Sequence, residues 1–445
     1  MHSPPFPLNA IISLTLFTLL CQTKRLNILL YYIIYSIIIL LTHYGGYFMK
    51  IVGLIAEYNP FHNGHRYHIE QAKKITGADY VIVIMSGNFV QRGTPAIMPK
   101  RMRCEAALRA GASLVIELPD SYATASAEAF ALGAVSILDK LGCVDSICFG
   151  SECGSIEDLQ LISKILADEP IEYKHSLQHY LKTGNSYPLA RQKAMADYLN
   201  SDIIASILSE PNNILGIEYL KALYKLNSKI KPHTITRVSS SYHDEELREN
   251  FSSATAIRNI IKNNEINKMI GQVPEESIDL FKTYHQIRYP IYANDFSLLL
   301  KYRLLNETKQ SLCQYADISE ELANRIINQR NDYLDFEQFC DILKTKEITY
   351  SRISRALLHV LLNIKQSDLN PIKYARLLGF RKDSTSVLSK INDNSAIPLV
   401  GKLVGIDDPM ILQDIYVSNL YESVVTDKFK TSYINEYEQS LVLFK

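Results

Sequence analysis

Short apolar runs alternate with segments of helical period from residue 49 onward. Four runs of four to seven residues predict buried strands, at residues 50–56, 80–85, 114–117 and 146–149. Helical patterns separate them, at residues 65–74, 100–110 and 124–141. This alternation predicts an α/β fold with a parallel, doubly wound sheet, whose ligands bind beyond the carboxyl ends of the strands.

The pattern changes along the second half of the chain. Three further helices and one more strand are predicted, at residues 156–166, 189–199, 215–226 and, for the strand, 233–237. After about residue 267 the strand signals fade and helical patterns dominate, for example at residues 318–331 and 350–362. We therefore predict an α/β domain over residues 49–267 and a mainly α-helical domain over residues 268–445.

Residues 1–48 do not fit this pattern. They hold two apolar runs separated by Lys24 and Arg25, and the chain has no acidic residue before Glu57. A membrane anchor, a signal-like leader and a mis-called start codon are all compatible with such a segment. We favour a start at Met49, because Gly45 and Gly46 allow a purine-rich ribosome-binding tract just upstream. Translation from Met49 implies no stable membrane association, and intact-mass analysis of the native protein tests it.

Composition narrows the class of protein. The 445 residues carry 47 Lys and Arg against 47 Asp and Glu, and 47% are hydrophobic, which excludes a disordered or fibrous chain. The seven cysteines are scattered, and the spacing of Cys143, Cys148 and Cys153 suits a zinc site poorly. We expect reduced thiols, no protein-held metal and a cytoplasmic location.

The carboxyl end of the first predicted strand carries the strongest chemical signal. Residues 57–65 read Glu-Tyr-Asn-Pro-Phe-His-Asn-Gly-His, and a helix is expected to begin at about His65. Helix amides and the two imidazoles of His62 and His65 would then point into the same crevice and bind a polyanion. A solvated turn or a metal pair is the alternative, since HxGH alone is a weak pattern.

A second motif lies far along the same domain. Residues 252–258 read Ser-Ser-Ala-Thr-Ala-Ile-Arg, which places hydroxyls at a helix start and Arg258 one turn further on. Ser253 and Arg258 suit phosphate binding. A plain helix capped by Ser253 is the alternative.

Together these motifs resemble the nucleotidyltransferase superfamily with a HIGH-type signature and, more closely, the bacterial tRNA(Met) cytidine acetate ligase family. The resemblance is carried by residues 53–65, 85–93, 117–119, 149–152, 211–216, 242–245 and 252–258. It implies a Rossmann-like nucleotidyltransferase domain that binds ATP. Acetate would be activated as acetyl-adenylate with release of pyrophosphate, and the acetyl group would then pass to the wobble cytidine of elongator tRNA(Met). ATP would be the co-substrate, with Mg²⁺ carried mainly by its phosphates.

The resemblance also implies site residues. His62 and His65 would be catalytic. The ATP-binding residues would be Ile55, Ala56, Glu57, Tyr58, Asn59, Pro60, Phe61, His62, Asn63, Gly64, His65, Arg66, Tyr67, His68, Gly150, Asn212, Asn213, Arg237, Ser253 and Arg258. A side chain at position 150 would block the nucleotide, and we prefer Asn213 to Asn212. Helix capping is the alternative for the two asparagines, and a solvated strand end for Arg237.

Residues for tRNA are predicted less directly. Gln91 and Arg92 lie in a polar, mobile-looking segment, residues 86–93, which is otherwise an ordinary loop. Residues 341–385 hold nine Lys and Arg against four Asp and Glu, and their spacing places Arg352, Arg355 and His359 on one helix face. Such an excess fits tRNA backbone binding, although charge runs are usually solvated faces. The tRNA-binding prediction comprises Gln91, Arg92, Arg352, Arg355, His359, Arg381 and Lys382.

Two other functions share these motifs. A cofactor-pathway adenylyltransferase acting on a phosphorylated small molecule would normally be much smaller and would not need the helical half. An RNA-binding protein with an inactive nucleotidyltransferase domain is disfavoured by the intact His62, Gly64, His65 and Arg258. Pyrophosphate release on mixing with ATP and acetate separates the three.

Overall fold

A mostly parallel sheet forms the centre of the structure, a computed structural model that describes residues 49–237 and 252–445. The strands of the sheet are β1 (Ile51–Ala56), β2 (Tyr80–Ser86), β3 (Leu114–Leu118), β4 (Ser146–Ser151), β5 (Lys231–Thr236), β6 (Ala375–Arg381), β7 (Leu399–Val400) and β8 (Val442–Phe444). The first five are parallel in the order β3-β2-β1-β4-β5, so the order reverses between β1 and β4. Leu54 of β1 pairs with Val83 of β2, which confirms the predicted parallel sheet.

The described ranges contain fifteen helices of eight or more residues. They are α1 (Asn63–Thr76), α2 (Lys100–Arg109), α3 (Ala127–Lys140), α4 (Ile156–Asp168), α5 (Ile171–Lys182), α6 (Tyr187–Leu199), α7 (Pro211–Lys225), α8 (Ala254–Lys262), α9 (Glu275–Tyr284), α10 (Ser297–Asn306), α11 (Glu320–Gln329), α12 (Phe336–Leu343), α13 (Tyr350–Leu362), α14 (Thr385–Asn394) and α15 (Pro409–Phe429). Shorter helical segments include Asp120–Ala123, Asp202–Ser206 and Lys309–Leu312.

Alternate residues of β1 show why helices cover both faces of the sheet. Val52 and Leu54 are fully buried in the core that also contains Ile69 of α1. Gly53 points the other way, where an added Cβ would come within 2.7 Å of the Leu138 side chain of α3. Because successive side chains of a strand face opposite sides, an apolar strand without polar alternation is buried on both.

The second half of the chain is mainly helical, as predicted, and has its own apolar core. Phe296, Leu322, Phe339 and Leu357 contribute to this core from four different segments. Phe89 from the first half is fully buried in the same core, so the two halves pack directly on one another. Residues 50–445 accordingly form one compact unit.

The sequence did not indicate that the helical half returns to the sheet. Strand β6 pairs antiparallel with β3, and both β7 and β8 pair with β6. Strand β6 is only seven residues long, and periodicity cannot distinguish so short a run from part of a buried helix. A domain boundary near residue 267 stays a prediction, since the sheet takes strands from both sides of it.

Across the described ranges, none of the helices has the length and apolar character that a bilayer crossing requires. The two apolar runs before Met49 lie outside these ranges, and a start at Met49 stays a prediction.

Candidate functional site

A cavity of about 420 Å³ opens at the carboxyl ends of β1, β4 and β5, where the strand order reverses. This is the position at which open α/β sheets bind their ligands. The predicted site residues that line it are Ile55, Ala56, Glu57, Tyr58, Asn59, His62, Gly64, His65, Tyr67, His68, Gly150, Asn212, Arg237, Ser253 and Arg258, together with Gln91 and Arg92. The fold therefore brings together motifs that lie about 200 residues apart in sequence.

His62 and His65 organise the amino terminus of α1, which begins two residues earlier than predicted, at Asn63. His62 is the N-cap, and its Nδ1 accepts the backbone N–H of Gly64 at 3.1 Å. Nδ1 of His65 accepts the backbone N–H of His62 at 3.3 Å. The two rings stack with centroids 3.7 Å apart, so both imidazoles are held in fixed orientations.

Burial keeps both rings neutral, and these hydrogen bonds determine which ring nitrogen carries the proton. Burial, followed by the charges of Arg237 and Arg258, lowers the pKa of His62 to about 3. Burial, followed by His62, lowers the pKa of His65 well below its ordinary value. A neutral imidazole whose Nδ1 accepts a hydrogen bond carries its proton on Nε2. Each ring therefore offers one N–H donor from Nε2.

The shape of the turn before α1 explains why particular residue types occur between β1 and His65. Tyr58 has a φ of 50°, an uncommon conformation for a residue with a side chain, and Arg258 Nη1 donates to the carbonyl of Asn59 at 2.8 Å. A Cβ at Gly64 would lie 2.9 Å from Cε1 of His62. Glycine is needed there because the His62 ring folds back over the helix start.

The second motif caps α8 and faces the same cavity. Ser253 is the N-cap, and its Oγ accepts the backbone N–H of Ala256 at 3.0 Å. Arg258 Nη2 donates to Oγ1 of Thr255 at 2.8 Å. The helix cap at Ser253 is confirmed, and because the capped end of α8 also lines the cavity, phosphate binding by Ser253 and Arg258 stays a prediction. Residues 242–245 of the resemblance lie outside the described residues.

The ends of β4 and β5 form another wall. Gly150 lies against Arg237, and a Cβ there would come within 3.2 Å of Cγ of that arginine. Arg237 Nη1 donates to Oδ1 of Asn212 at 3.3 Å. A side chain at position 150 would therefore contact Arg237, and the block of the nucleotide stays a prediction.

Of the two asparagines of α7, Asn212 lines the cavity and Asn213 does not. Asn213 is buried, and its Oδ1 accepts the backbone N–H groups of Glu152 and Cys153 at 2.9 and 3.1 Å. The Glu152 carboxylate accepts the N–H groups of Asn212 and Asn213 at the start of α7. The preference for Asn213 is thus corrected in favour of Asn212, and neither asparagine is the N-cap, which is Glu210.

Four residues of the predicted ATP-binding segment point elsewhere. Phe61 is fully buried in the core, and Pro60 is also buried. Asn63 Nδ2 donates to the carbonyl of Gly271 at 2.8 Å. Arg66 pairs at the surface with Glu70 at 2.9 Å and with Glu276 at 3.5 Å. These four residues shape the segment without lining the cavity.

The sequence suggested a polar, mobile-looking segment at residues 86–93, whereas the structure packs part of it against the helical half. These residues enter a hairpin of two short strands, Phe89–Val90 and Thr94–Pro95, and Phe89 is buried in the helical core. Gly93 has a φ of 80°, and an added Cβ would overlap the backbone nitrogen of Arg355. Within this segment, Arg92 is exposed.

The predicted basic face of α13 is largely a contact inside the molecule. His359 is 1% exposed, and its Nε2 lies 3.0 Å from the carbonyl oxygen of Thr124. Arg355 pairs with Asp317 at 2.8 Å. His359 cannot reach a tRNA phosphate from this position, and Arg352, which is half-buried, stays a predicted contact.

Arg381 and Lys382 lie at the opposite edge of the sheet from the cavity. The N–H of Arg381 bonds the carbonyl of Ser113, next to the amino end of β3, at 2.9 Å. The Arg381 side chain pairs with Asp383 at 3.0 Å, and Lys382 is exposed. The structure therefore does not join all predicted tRNA residues into one surface.

An apolar wall of the cavity was not foreseen from the sequence. It consists of Ala127, Phe130, Phe149, Ile214, Leu215 and Tyr219. Phe149 and Tyr219 have ring centroids 5.6 Å apart. These residues come from α3, β4 and α7, and in sequence each belongs to an ordinary core pattern. Phe149, Ile214 and Leu215 lie in segments that carry the family resemblance, but nothing in the sequence indicated that they form a wall.

In the described part of the chain, no group of three or more His, Cys, Asp or Glu residues is arranged to hold a metal ion. Cys143 and Cys148 are buried free thiols, and burial raises their pKa values to about 11 and 12. Buried thiols with raised pKa values are weak nucleophiles and weak metal ligands.

The lining charges define what the cavity accepts. Arg92, Arg237 and Arg258 line it together with the three histidines, and Glu57 is the one acidic residue among the described lining residues. Two helix amino termini, of α1 and α8, also face it. Cations, N–H donors and helix dipoles together favour a polyphosphate, and the apolar wall offers a surface for a nucleobase.

Comparison with known proteins agrees with this geometry. Residues 49–436 match the family model described as HIGH nucleotidyl transferase. The tRNA(Met) cytidine acetate ligase of Acetivibrio thermocellus is 41% identical over 418 residues, covering 89% of this chain and 100% of the relative. That of Clostridium acetobutylicum is 43% identical over 390 residues, with coverages of 84% and 96%.

Solved structures agree as well. The apo crystal structure of Thermotoga maritima TmcAL superposes with a TM-score of 0.83 at 32% identity, covering 89% of this chain and 100% of that one. The same protein bound with alpha-thio ATP gives a TM-score of 0.81. By sequence, fold and the geometry of the cavity, this chain belongs to the tRNA(Met) cytidine acetate ligase family of HIGH nucleotidyl transferases.

Proposed function

We propose that this protein is an ATP-dependent tRNA(Met) cytidine acetate ligase. It activates acetate as acetyl-adenylate with release of pyrophosphate, and then acetylates the wobble cytidine of elongator tRNA(Met) to N4-acetylcytidine. The observation that carries the proposal is the pair of stacked, neutral imidazoles at the start of α1, each with its Nε2 proton available to a ligand. The names of the relatives supply acetate and tRNA(Met), which the cavity itself does not identify.

Charge stabilisation and positioning perform the first step. The acetate carboxylate is itself the nucleophile, so no serine or cysteine nucleophile is needed. It attacks the α-phosphorus of ATP, and pyrophosphate leaves with the electron pair of the broken P–O bond. His62 and His65 donate from Nε2 to phosphate oxygens on which negative charge increases, and preorganised donors of this kind lower the barrier most.

The second motif and the β5 end hold the remaining phosphate charge. Arg258 is fixed by Asn59 and Thr255, and the amino terminus of α8 lies beside it. Arg237 is braced by Asn212. Mg²⁺ enters with the triphosphate, because the described residues that line the cavity include one carboxylate and magnesium prefers several oxygen ligands.

The partners and the location follow from this reaction. We propose a cytoplasmic enzyme, since its substrates are ATP, acetate and a tRNA, and a helical half, residues 268–445, that contributes to tRNA binding. We propose that Arg92, an exposed residue that lines the cavity, contacts the nucleic acid together with Arg352 of α13, a helix whose Ser354 donates to the carbonyl of Gly93 in the same hairpin.

The two half-reactions are measured separately. Mixing the protein with ATP and Mg²⁺ should release pyrophosphate only when acetate is added, and incubation with elongator tRNA(Met) should then yield N4-acetylcytidine by nucleoside mass spectrometry. Pyrophosphate release that requires a phosphorylated small molecule instead of acetate would indicate an adenylyltransferase. Binding of tRNA without any pyrophosphate release would indicate an inactive catalytic domain.

A further inference from the structure

Glu57 occupies an unusual position for an acidic residue, inside a cavity whose other charges are positive. It directly follows β1, and its backbone carbonyl accepts a hydrogen bond from Nη1 of the fully buried Arg103 at 2.6 Å. Its Oε1 accepts the backbone N–H of Gln91 at 2.8 Å. Both the backbone and one carboxylate oxygen are therefore held in place.

The second carboxylate oxygen faces the cavity. Oε2 of Glu57 has no hydrogen-bond partner among residues 49–237 and 252–445. It is also not one of the fully buried polar atoms that lack a partner in those residues. Tyr219 lies near the same carboxylate, because the charge of Glu57 contributes to the raised pKa of that phenol. The open oxygen thus lies beside the apolar wall that suits a nucleobase.

No other group that lines the described part of the cavity is free to take a proton. Nδ1 of His62 and Nδ1 of His65 already accept backbone N–H groups. His68 has its pKa lowered to about 4 by burial, and its Nε2 is sealed from solvent. Tyr219 is a phenol whose pKa is raised by burial, so it stays protonated.

The acidity of Glu57 suits the same role. Burial raises the pKa of Glu57, and the backbone N–H of Gln91 and the charges of Arg92, Arg103 and Arg258 offset only part of that rise. A carboxylate with a raised pKa is a stronger base than an ordinary glutamate, and general bases work best when their pKa is near the working pH.

We propose that Glu57 is the general base of the acetyl-transfer step, an inference that rests on the proposed function. The N4 amino group of cytidine is a poor nucleophile, because its lone pair is delocalised into the ring. As N4 forms a bond to the acetyl carbon, the bond from that carbon to the phosphate oxygen of the adenylate breaks, and AMP leaves with the electron pair. The N4 proton passes to Oε2 of Glu57 and then to solvent.

The same carboxylate also recognises the substrate. An acidic side chain is the usual acceptor for the N4 amino group of cytosine. Uridine has a carbonyl oxygen at that position, which would meet the carboxylate without a proton between them. Glu57 therefore selects an amino-bearing base at the point where the proton must leave.

Glu57→Gln tests the proposal, since the amide keeps the shape and an acceptor for the N–H of Gln91. Because Glu57 also lines the ATP cavity, acetate-dependent ATP–pyrophosphate exchange is measured alongside as the reference, and acetyl transfer should fall much further than exchange. Single-turnover acetyl transfer to tRNA(Met) should fall by roughly 10²- to 10⁴-fold. The wild-type transfer rate should rise with pH along a limb whose apparent pKa exceeds that of an ordinary glutamate, and the variant should lack this limb. Glu172→Gln, on the exposed face of α5, is the matched control.

Glu57→Asp is the second variant, needed in case Glu57→Gln fails to fold. It keeps a carboxylate, so acetyl transfer should be slower than in the wild type but should still rise with pH along the same limb. A Gln variant that transfers acetyl at the normal rate or keeps the limb would overturn the proposal, and so would equal loss of exchange and transfer. A wild-type profile without the limb would overturn it too. If the wild-type protein shows no acetate-dependent exchange, the proposed function itself fails, which is a different result.

Discussion

Two regions of this molecule bury many ionisable groups, and the two differ in whether those groups are paired within the protein. The first is the cavity at the carboxyl ends of the strands. The second, the buried ion cluster, consists of Lys100, Glu117, Asp120, Arg376, Asp414 and Glu436. The cavity turns its polar atoms toward open space, whereas the cluster pairs most of its charges internally.

The geometry of the buried ion cluster is that of a structural junction. Nζ of Lys100 lies 2.6 Å from Glu117 and 3.1 Å from Glu436. Arg376 pairs with both of those carboxylates. These residues belong to α2, β3, β6 and the segment after α15, so the cluster joins the first half of the chain to the last.

The comparison shows how to separate function from structure in a buried charge. Burial alone perturbs pKa values in both regions, and so a perturbed pKa does not identify an active site. The cavity groups differ because their free donors, such as Nε2 of His62 and His65, need a ligand. The cluster groups find most of their partners within the protein.

The largest expected effect on stability comes from breaking the cluster with Lys100→Met. Lys100 is 1% exposed, so its loss leaves Glu117 and Glu436 with one cation fewer in the interior. We expect the free energy of unfolding to fall by about 3–5 kcal/mol, the usual cost of breaking a buried ion pair. Urea denaturation measures it.

Lys174→Met is the matched control for that substitution. Lys174 pairs with Glu169 at 3.5 Å, and both side chains are about half exposed. Exposed pairs contribute roughly 0–1 kcal/mol. Equal losses in the two variants would show that the cluster adds no stability beyond that of a surface pair.

Breaking the cavity instead should remove activity and leave stability largely intact. His65→Ala removes the Nε2–H donor, and we expect adenylate formation to fall by roughly two to three powers of ten. The free energy of unfolding should fall by only about 1 kcal/mol, because the change removes a hydrogen bond of the helix cap and no buried charge. Acetate-dependent pyrophosphate exchange is the measurement, with His175→Ala on the exposed surface of α5 as the control. Normal exchange in the His65 variant would remove this histidine from the mechanism.

The pH dependence of stability should distinguish the buried ion cluster from the cavity, with a smaller effect than the substitutions above. Burial and the neighbouring Asp414 raise the pKa of Asp120, and burial raises the pKa of Asp414 to about 7. A carboxyl group whose pKa is higher in the folded protein than in the unfolded chain stabilises the fold fully below the unfolded pKa of about 4. This contribution to stability is lost as the pH rises through the folded pKa.

Asp120→Asn should remove part of that loss. The two Asp120 oxygens have no hydrogen-bond partner in the described part of the chain, so the substitution breaks no hydrogen bond, and the amide cannot ionise. Relative to the wild type, we expect the variant to gain roughly 1–2 kcal/mol between pH 5 and pH 8. Urea denaturation at both pH values tests this, and a stability difference independent of pH would contradict it.

The smallest expected effect concerns the helical half. Arg352→Ala should weaken tRNA(Met) binding and lower the salt dependence of the affinity by about one unit of slope, as for one lost phosphate contact. Adenylate formation without tRNA should be unchanged. Arg355→Ala should instead lower stability, because Arg355 pairs with Asp317. An unchanged salt slope in the Arg352 variant would place the tRNA surface elsewhere, with Arg92 the next residue to test.

The sequence by itself determined the parallel sheet and the two phosphate motifs. Short apolar runs rich in β-branched residues and flanked by helical patterns, such as residues 80–85, favour a strand buried on both faces. His62, Gly64, His65 and Ser253 are local signals, since they act within one turn of a helix start. A pattern confined to neighbouring residues is readable without the rest of the fold.

Only the tertiary structure decided which residues meet across long separations. Asn212 and not Asn213 lines the cavity, because Arg237 contacts the side chain of Asn212 while Glu152 holds the backbone of Asn213. The tertiary structure also buried His359 against Thr124, although helical spacing alone favoured an exposed face. Helix period tells which side chains share a face, but whether that face meets solvent or another segment depends on packing between residues far apart in sequence.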